Sequence, residues 1–324
     1  MGKIPVYILS GFLGSGKTTL LKQLLHTCSE KNINPAVLMN EIGKTDTDGE
    51  SISTMLKNSH LEKLLDGCMC CNKKDEVTDY LKALLSRKPE VIFIELTGVA
   101  DPEEVVDSLT EPDLLPLLYL EKVITIVDAE NVLAYHSVFE SDRELVRTTK
   151  KQIYVADYLI INKTDLVSED KKKKVEKLVR KENATSPSIY TTFSRVDVND
   201  IFFRNRWGGK REALTRIEEI NYKKNSSHSF SRIKSISLPL TTQTTTKQIE
   251  KFLKRWKPHL LRAKGYLSVK EGIYLMQCVM NRVNWEPSTY NGQCYLVVIG
   301  VNLNTKEIKE EWEKNFEIPV NVEK

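Results

Sequence analysis

Histidine is scarce in this chain, five in 324 residues, and no apolar run is long enough to cross a bilayer. The most apolar stretch, "DLLPLLYLEKVITIV" (113–127), is interrupted by Pro116, Glu121 and Lys122. Neither sign of charge dominates. The 48 Lys and Arg against 44 Asp and Glu leave +4, too small and too dispersed for a nucleic-acid footprint. The opening "MGKIPVYILS" shows no cleavage site, and Val6 stands where a myristoylation motif needs Ser or Thr. Secretion, membrane insertion and lipid anchoring are therefore not expected, and a cytoplasmic location is. Cysteine is also sparse, yet three of the six fall within residues 68–71, in "DGCMCC". In a reducing compartment such a cluster points to metal binding or catalysis before disulfides.

The first motif follows at once. "VYILSGFLGSGKTTLLKQLLH" (6–26) runs from a buried-strand pattern through a glycine-rich loop into an amphipathic helix. Gly11, Gly16, Lys17 and Thr18 fill G-x-x-x-x-G-K-[ST] in the strand–loop–helix context that gives the motif its mechanics. Backbone N–H groups from Gly14 and Ser15 through Thr18 are expected to face phosphate oxygens, helped by the helix N-terminus. Lys17 is expected to reach the β- and γ-phosphates, the Thr18 hydroxyl to ligate Mg²⁺, and Thr19 to meet the α-phosphate.

A second strand run, "VADYLIINKTDLV" (155–167), ends in Asn162-Lys163-Thr164-Asp165. N-K-x-D at a strand end suits guanine. Asp165 would accept from the two adjacent donors of the guanine edge, which adenine does not offer. The Lys163 stem would cover the base and Asn162 would brace the loop. GTP is the expected nucleotide, and a kinase-like phosphotransferase on the same loop is disfavoured. "PEVIFIELTGVADP" (89–102) supplies the metal-side strand end, with Glu95 placed to hold a Mg²⁺-bound or attacking water and the Gly98 N–H placed to sense the γ-phosphate. "AVLMNEIGKTDTDGES" (36–51) dissolves into a polar loop suited to a nucleotide switch, with Glu41 and Asp48 its first metal-side candidates and Asp46 ranked below them.

Taken in order, "GFLGSGKTT", "NEIG", "GCMCC", "ELTGVADP", "QIYVADYLIINKTDL", "RAKG" (262–265) and "LVVIGVNL" (296–303) make the chain resemble the CobW-type family of GTPases, which includes nitrile-hydratase activators and zinc-handling members. The resemblance implies a GTP-dependent metallochaperone or metal insertase. Such a protein binds a divalent transition metal at the cysteines when loaded with Mg²⁺-GTP and releases it to a client metalloprotein on hydrolysis. It also implies a C-terminal domain that meets the client or responds to the switch. Three departures stand out: Lys44 follows "NEIG" where relatives often carry Glu, the linker has no His-rich run, and the N-terminal residues do not show the extra cysteine-containing segment of eukaryotic zinc-transferring members. The resemblance therefore does not extend to that subgroup's client.

As chemistry, Cys68 and Cys70 share one side of an extended segment, while Cys71 points elsewhere unless the chain turns. Thiolates at this spacing suit a soft tetrahedral site for Zn²⁺, with Co²⁺ or Cu⁺ also suitable, and three ligands with one open position would suit releasable cargo. His60 is a conceivable fourth ligand. A redox pair and a packed apolar cluster remain the other readings, and packing is the natural role of Cys28, Cys278 and Cys294. The competing function is a GTP-controlled switch whose cysteines hold a fixed structural zinc.

The fold class expected is α/β: a P-loop NTPase domain with a mainly parallel sheet over 1–205, a helix and linker over 206–231, and a smaller α+β domain over 232–324. Asp128, closing "VITIVDAEN", reads as a turn former. "SEDKKKKVEKLVRK" (168–181) reads as a capped helix with a solvated basic face. Arg262 and Lys264 read as salt-bridge residues. Two or three strands are expected over 265–301, and a homo-oligomer is left open.

Overall fold

The computed structural model describes residues 2–40, 52, 61–64, 74–137, 141–203, 231–279 and 282–316. It divides into two compact units: residues 1–102 with 116–230, and residues 103–115 with 231–324.

The first unit is a seven-stranded sheet in the order β3-β2-β4-β1-β5-β6-β7. Its strands are β1 (Ile4–Ser10), β2 (Pro35–Asn40), β3 (Leu61–Leu64), β4 (Val91–Glu95), β5 (Leu118–Asp128), β6 (Tyr158–Asn162) and β7 (Ser188–Tyr190). Every pairing is parallel. Parallel strands need covered faces, which is why β4 reads as the uninterrupted apolar run "VIFI" before its glutamate. The helices between them are α1 (Lys17–Glu30), α2 (Lys74–Ser86), α3 (Pro102–Leu109), the short α4 (Val132–Tyr135), α5 (Arg143–Tyr154) and α6 (Glu169–Glu182). In α1 the buried side chains Leu20, Leu21, Leu24, Leu25 and Cys28 recur at helical spacing and pack with Tyr7, Leu9 and Phe93. Asp142 caps α5 by accepting the Glu144 N–H at 2.6 Å, and Ser168 caps α6 by accepting that of Lys171 at 3.3 Å.

β1 is flanked by β4 on one side and β5 on the other. The connection out of β1 passes β4 to reach β2, whereas the connection out of β4 passes β1 to reach β5, so the C-terminal end of β1 is the topological switch point where ligands bind in open parallel sheets.

The second unit is an antiparallel sheet, β11-β10-β9-β12-β8. Its strands are β8 (Ile233–Pro239), β9 (Leu260–Val269), β10 (Gly272–Val279), β11 (Arg282–Pro287) and β12 (Tyr295–Val301). Four strands thus lie between 260 and 301, where two or three were expected over 265–301: β11 is short and largely exposed, and only Val283 and Trp285 alternate in it as partly buried apolar residues against the core. Helices α7 (Thr246–Trp256) and α8 (Thr305–Phe316) cover one face, with Phe252 and Trp312 edge to face at 5.2 Å between ring centres. A capping box between Thr245 and Gln248 starts α7.

Residues 103–115 belong to this unit although they sit far upstream in sequence. Arg262 pairs with the fully buried Asp107 at 3.3 Å, and Lys264 with Glu111 at 2.6 Å. Both basic residues do form salt bridges, with partners about 150 positions away. Cys28, Cys278 and Cys294 are free thiols buried in the two cores. Burial, with the Glu90 carboxylate adding to it, pushes the Cys28 thiol up to about 12, which fits a packing role. Among the described residues no helix is long and apolar enough to cross a membrane.

Candidate nucleotide site

The loop after β1 turns tightly, the Ser15 N–H donating to the Phe12 carbonyl at 3.1 Å. Lys17, only 6% exposed, curls back and donates to the carbonyls of Gly11 at 2.8 Å and Phe12 at 3.1 Å. Burial lowers its pKa to about 8, opposed by the attraction of Glu95. A buried ammonium whose hydrogen bonds among the described residues go to two carbonyls, with Glu95 near it, fits an anion. Ser15 is buried in the loop, whereas Gly14 in the loop and Thr19 in the first turn of α1 are exposed.

Gly16 introduces α1 with φ 110°, and a Cβ there would lie 2.4 Å from Ser194 Oγ and 2.6 Å from Asn162 Nδ2. Both the left-handed backbone and the crowding demand glycine. Gly98 is required for a different reason. A Cβ on it would sit 2.3 Å from the backbone nitrogen of Leu13, so the β4 loop lies directly against the phosphate loop. Gln152 of α5 holds that loop by donating to the carbonyls of Gly98 and Ala100, both at 3.1 Å.

Glu95 ends β4 beside Leu9 of β1 and Met39 of β2. The Thr18 hydroxyl donates to Glu95 Oε1 at 2.8 Å, bringing together two residues from sequence motifs 77 positions apart. A hydroxyl and a carboxylate are hard oxygen donors of the kind Mg²⁺ takes, and Glu95 is 7% exposed, so this pair fits that ion.

Asn162 is 3% exposed and bonded through both side-chain atoms. Its Nδ2 donates to the Ser15 carbonyl at 2.8 Å and to Ser194 Oγ at 3.0 Å, while its Oδ1 accepts the Ser194 N–H at 2.8 Å. The base-side loop is thereby tied to the phosphate loop. Lys163 follows in a left-handed conformation with φ 61°, and Asp165 lies exposed in the 3₁₀ turn Thr164–Leu166.

Sequence reasoning missed the segment 191–195. Ser194 joins it to both Asn162 and the Gly16 carbonyl, the latter at 3.1 Å. Gln23 of α1 donates to the Ser194 carbonyl at 3.0 Å, and Thr164 bonds the Thr191 carbonyl through its N–H at 3.2 Å and its hydroxyl at 3.0 Å. Phe193 and Ser194 are both left-handed, at φ 53° and 51°, and Phe193 is 68% exposed. Two such residues in succession store strain that only a heavily bonded loop sustains. The strand before it, β7, has three residues and no buried one, so no apolar pattern marked it. Asp128 accepts the Glu130 N–H, as the turn former expected, and it also pairs with Lys163, which the sequence did not indicate.

Glu41, Asp46, Asp48, His60, Cys68, Cys70 and Cys71 lie outside the described residues. Among the described residues no group of three or more His, Cys, Asp or Glu could hold a metal ion. Among the grooves of the described residues, one of about 450 Å³ runs along α5, lined by Arg143, Arg147, Lys150 and Tyr154 and away from the phosphate loop.

A phosphate loop at the switch point of a parallel sheet, tied to an N-K-x-D loop and followed by a separate α+β unit, defines a two-unit P-loop nucleotide-binding protein. Residues 5–190 match the CobW/HypB/UreG nucleotide-binding domain, and residues 233–315 match the cobalamin synthesis protein cobW C-terminal domain. The chain belongs to this family of P-loop GTPases, as its motifs led us to expect. It is 27% identical to "Zinc chaperone YjiA" of Escherichia coli (strain K12) over 95% of this chain and 98% of that protein. It is 32% identical to "Zinc-regulated GTPase metalloprotein activator 1" of Schizosaccharomyces pombe over 64% of this chain and 50% of that protein, spanning half of that relative's length. The solved structure of Zn(II)-bound YjiA GTPase from E. coli aligns over 97% of this chain and 99% of that one, at 24% identity and a TM-score of 0.47.

Proposed function

We propose that this chain is a GTP-hydrolysing metallochaperone that carries a divalent transition metal, Zn²⁺ or Co²⁺, on Cys68, Cys70 and Cys71 and delivers it to a client metalloprotein. The observation that supports the nucleotide half best is the Asn162 side chain, bonded at once to the phosphate loop and to the 191–195 loop. Base and phosphates are then read by one braced unit, with Asp165 on the guanine edge and the loop N–H groups of 14–18 on the phosphates. Lys17 leaves the Gly11 and Phe12 carbonyls for the β- and γ-phosphates. Thr18 and Glu95, with Glu41 and Asp48 of the switch segment, would hold Mg²⁺, which supplies charge neutralisation across the phosphates. Glu95 orients the attacking water, and the Gly98 N–H contacts the γ-phosphate until that group leaves. No arginine is placed as a finger by the motifs, so slow intrinsic turnover is expected.

The metal half rests on the Cys-x-Cys-Cys motif and on relatives named for zinc. The motif falls between the switch segment and Glu95 in sequence, so one nucleotide-driven change can reach both sites. Linkage then requires that GTP raise metal affinity by the factor by which metal raises GTP affinity. The test is metal affinity for Zn²⁺, Co²⁺, Ni²⁺ and Fe²⁺ with GTP, GDP and no nucleotide. Affinity that depends on GTP supports delivery. A single zinc that never exchanges, whatever the nucleotide, would point instead to the structural-zinc switch.

A further inference from the structure

Asp128 closes β5 and is 3% exposed. In the parallel ladder it stands opposite Asn162, one residue from Lys163. Its Oδ1 accepts the Glu130 N–H at 2.9 Å, which is all that a turn former needs. Its Oδ2 does something else, accepting from Lys163 Nζ at 2.7 Å and from Asn131 Nδ2 at 3.1 Å. A turn alone would be served by a neutral Asn or Ser, without the desolvation cost of a buried carboxylate. The lysine it meets is unusual in turn. Lys163 adopts φ 61°, rare for a residue with a Cβ, and its side chain is 29% exposed while that of Asp128 is 2% exposed. The ammonium is thus held at a buried carboxylate while the lysine side chain as a whole keeps part of its surface exposed. A free lysine stem loses rotamer entropy when a ligand fixes it. Here the ion pair has fixed it beforehand.

We propose that Asp128 is a positioning residue for nucleobase recognition: it holds the Lys163 ammonium so that the aliphatic stem forms a ready apolar face against which a purine ring stacks. The proposal rests on the reading of Asn162-Lys163-Thr164-Asp165 as the base-recognition loop. Stacking and edge recognition separate by ligand, because every purine has a ring face but only guanine among the common ones carries the 2-amino group that Asp165 would read. Preorganisation of the stem acts on affinity for GDP and IDP alike.

The test is equilibrium binding of GDP and of IDP, which lacks the 2-amino group, to the full chain. Asp128→Asn keeps the turn acceptor and removes the charge. It is expected to weaken both ligands by about tenfold, leaving their ratio unchanged. Lys163→Ala is expected to weaken both similarly, and Asp128→Asn added to it to cause no further loss. Binding of Asp128→Asn within twofold of the parent overturns the proposal, as does a full further loss in the Lys163→Ala background. Asp165→Ala is the separate control: it should collapse the GDP/IDP ratio. A ratio that survives in Asp165→Ala removes the guanine reading while the Asp128–Lys163 coupling stays measurable on its own. Should Asp128→Asn fail to fold, Asp128→Glu displaces the same charge by one carbon. Loss of both ligands is then expected, and parental affinity overturns the proposal.

Discussion

The Thr18 hydroxyl donates to Glu95 Oε1 at 2.8 Å, so the residue after the phosphate-loop lysine and the carboxylate that ends β4 meet at one point. A glutamate 7% exposed there has few roles besides holding a cation or a water. Glu95→Gln keeps the volume and the acceptor for Thr18 but removes the charge. We expect phosphate release to fall by about 10²–10³-fold, the range for loss of one preorganised electrostatic contact, with GDP binding little changed. Single-turnover hydrolysis beside fluorescent GDP titration checks this. Turnover within threefold of the parent would remove Glu95 from the chemistry.

Lys17 makes nucleotide binding depend on pH. Burial places its pKa at about 8 when its partners are loop carbonyls. Phosphates at the same ammonium favour the charged form and raise it again. Below about pH 8 the lysine is already charged and affinity should be flat. Above it, binding must take up a proton, so affinity should fall towards tenfold per pH unit. GDP titrations between pH 7 and 9 read this slope, and Lys17→Gln should abolish it together with most of the affinity. A slope that survives in Lys17→Gln belongs to another group.

Asn162 braces three backbone segments, so its loss should be felt without any ligand. Asn162→Ala leaves the Ser194 N–H and the Ser15 carbonyl without their buried partner. The cost is about 2–3 kcal/mol, since an unmet buried polar group loses its full desolvation energy. The left-handed pair at Phe193 and Ser194 should relax at the same time, seen as faster amide exchange over 191–195. Urea melts and hydrogen exchange read both. A stability change below about 0.5 kcal/mol, the level of an ordinary surface substitution, would mean that the brace is idle.

Much of this architecture was legible in the chain, and what was not shares one cause. Phosphate loop, Asn162-Lys163-Thr164-Asp165 and the Glu95 strand end are local patterns whose chemistry fixes their spacing. The capping of α6 by Ser168 and the buried stripe of α1 are equally local. The 191–195 loop was hidden because its function lies in partners at Gln23, Asn162 and Gly16, far away in sequence. Asp128 was half legible, since the turn bond to Glu130 is local and the bond to Lys163 spans 35 positions. The membership of 103–115 in the second unit depends on Asp107 and Glu111 meeting Arg262 and Lys264, pairings no periodicity announces.

His136 should weaken the fold in mild acid. Burial first, then the repulsion of Lys150, lowers its pKa to about 4, against an opposing interaction with the Val132 backbone that favours the charged form. Because the unfolded chain titrates near 6.5 and the folded one near 4, the unfolded state binds more protons between those values. Stability therefore falls as pH drops from 6.5 towards 4. Allowing for partial solvent screening, we expect about 1 kcal/mol between pH 7 and 5. Urea midpoints of the parent and of His136→Leu at the two pH values check it. An equal drop in both proteins would assign the effect elsewhere.

The cysteine cluster carries the prediction that separates cargo from framework. Cys68 and Cys70 lie two positions apart in sequence, the spacing that would put both thiolates on one side of an extended segment, with Cys71 the third of the motif. Removing one thiolate from a three-thiolate site should weaken Zn²⁺ or Co²⁺ by about 100-fold, because no neighbouring oxygen replaces a soft donor. Cys68→Ala should leave GTP and GDP binding intact in the absence of metal, as the motif is separate from Lys17, Thr18 and Asn162. With metal present, the parent should bind GTP more tightly, and Cys68→Ala should lose that gain, since the two affinities are reciprocal. Competition titrations with a chromophoric zinc indicator, run with and without GTP, measure both terms. Unchanged metal affinity in Cys68→Ala would falsify the cargo assignment. Weakened metal with no change in the GTP response would keep the site and remove its coupling to the nucleotide.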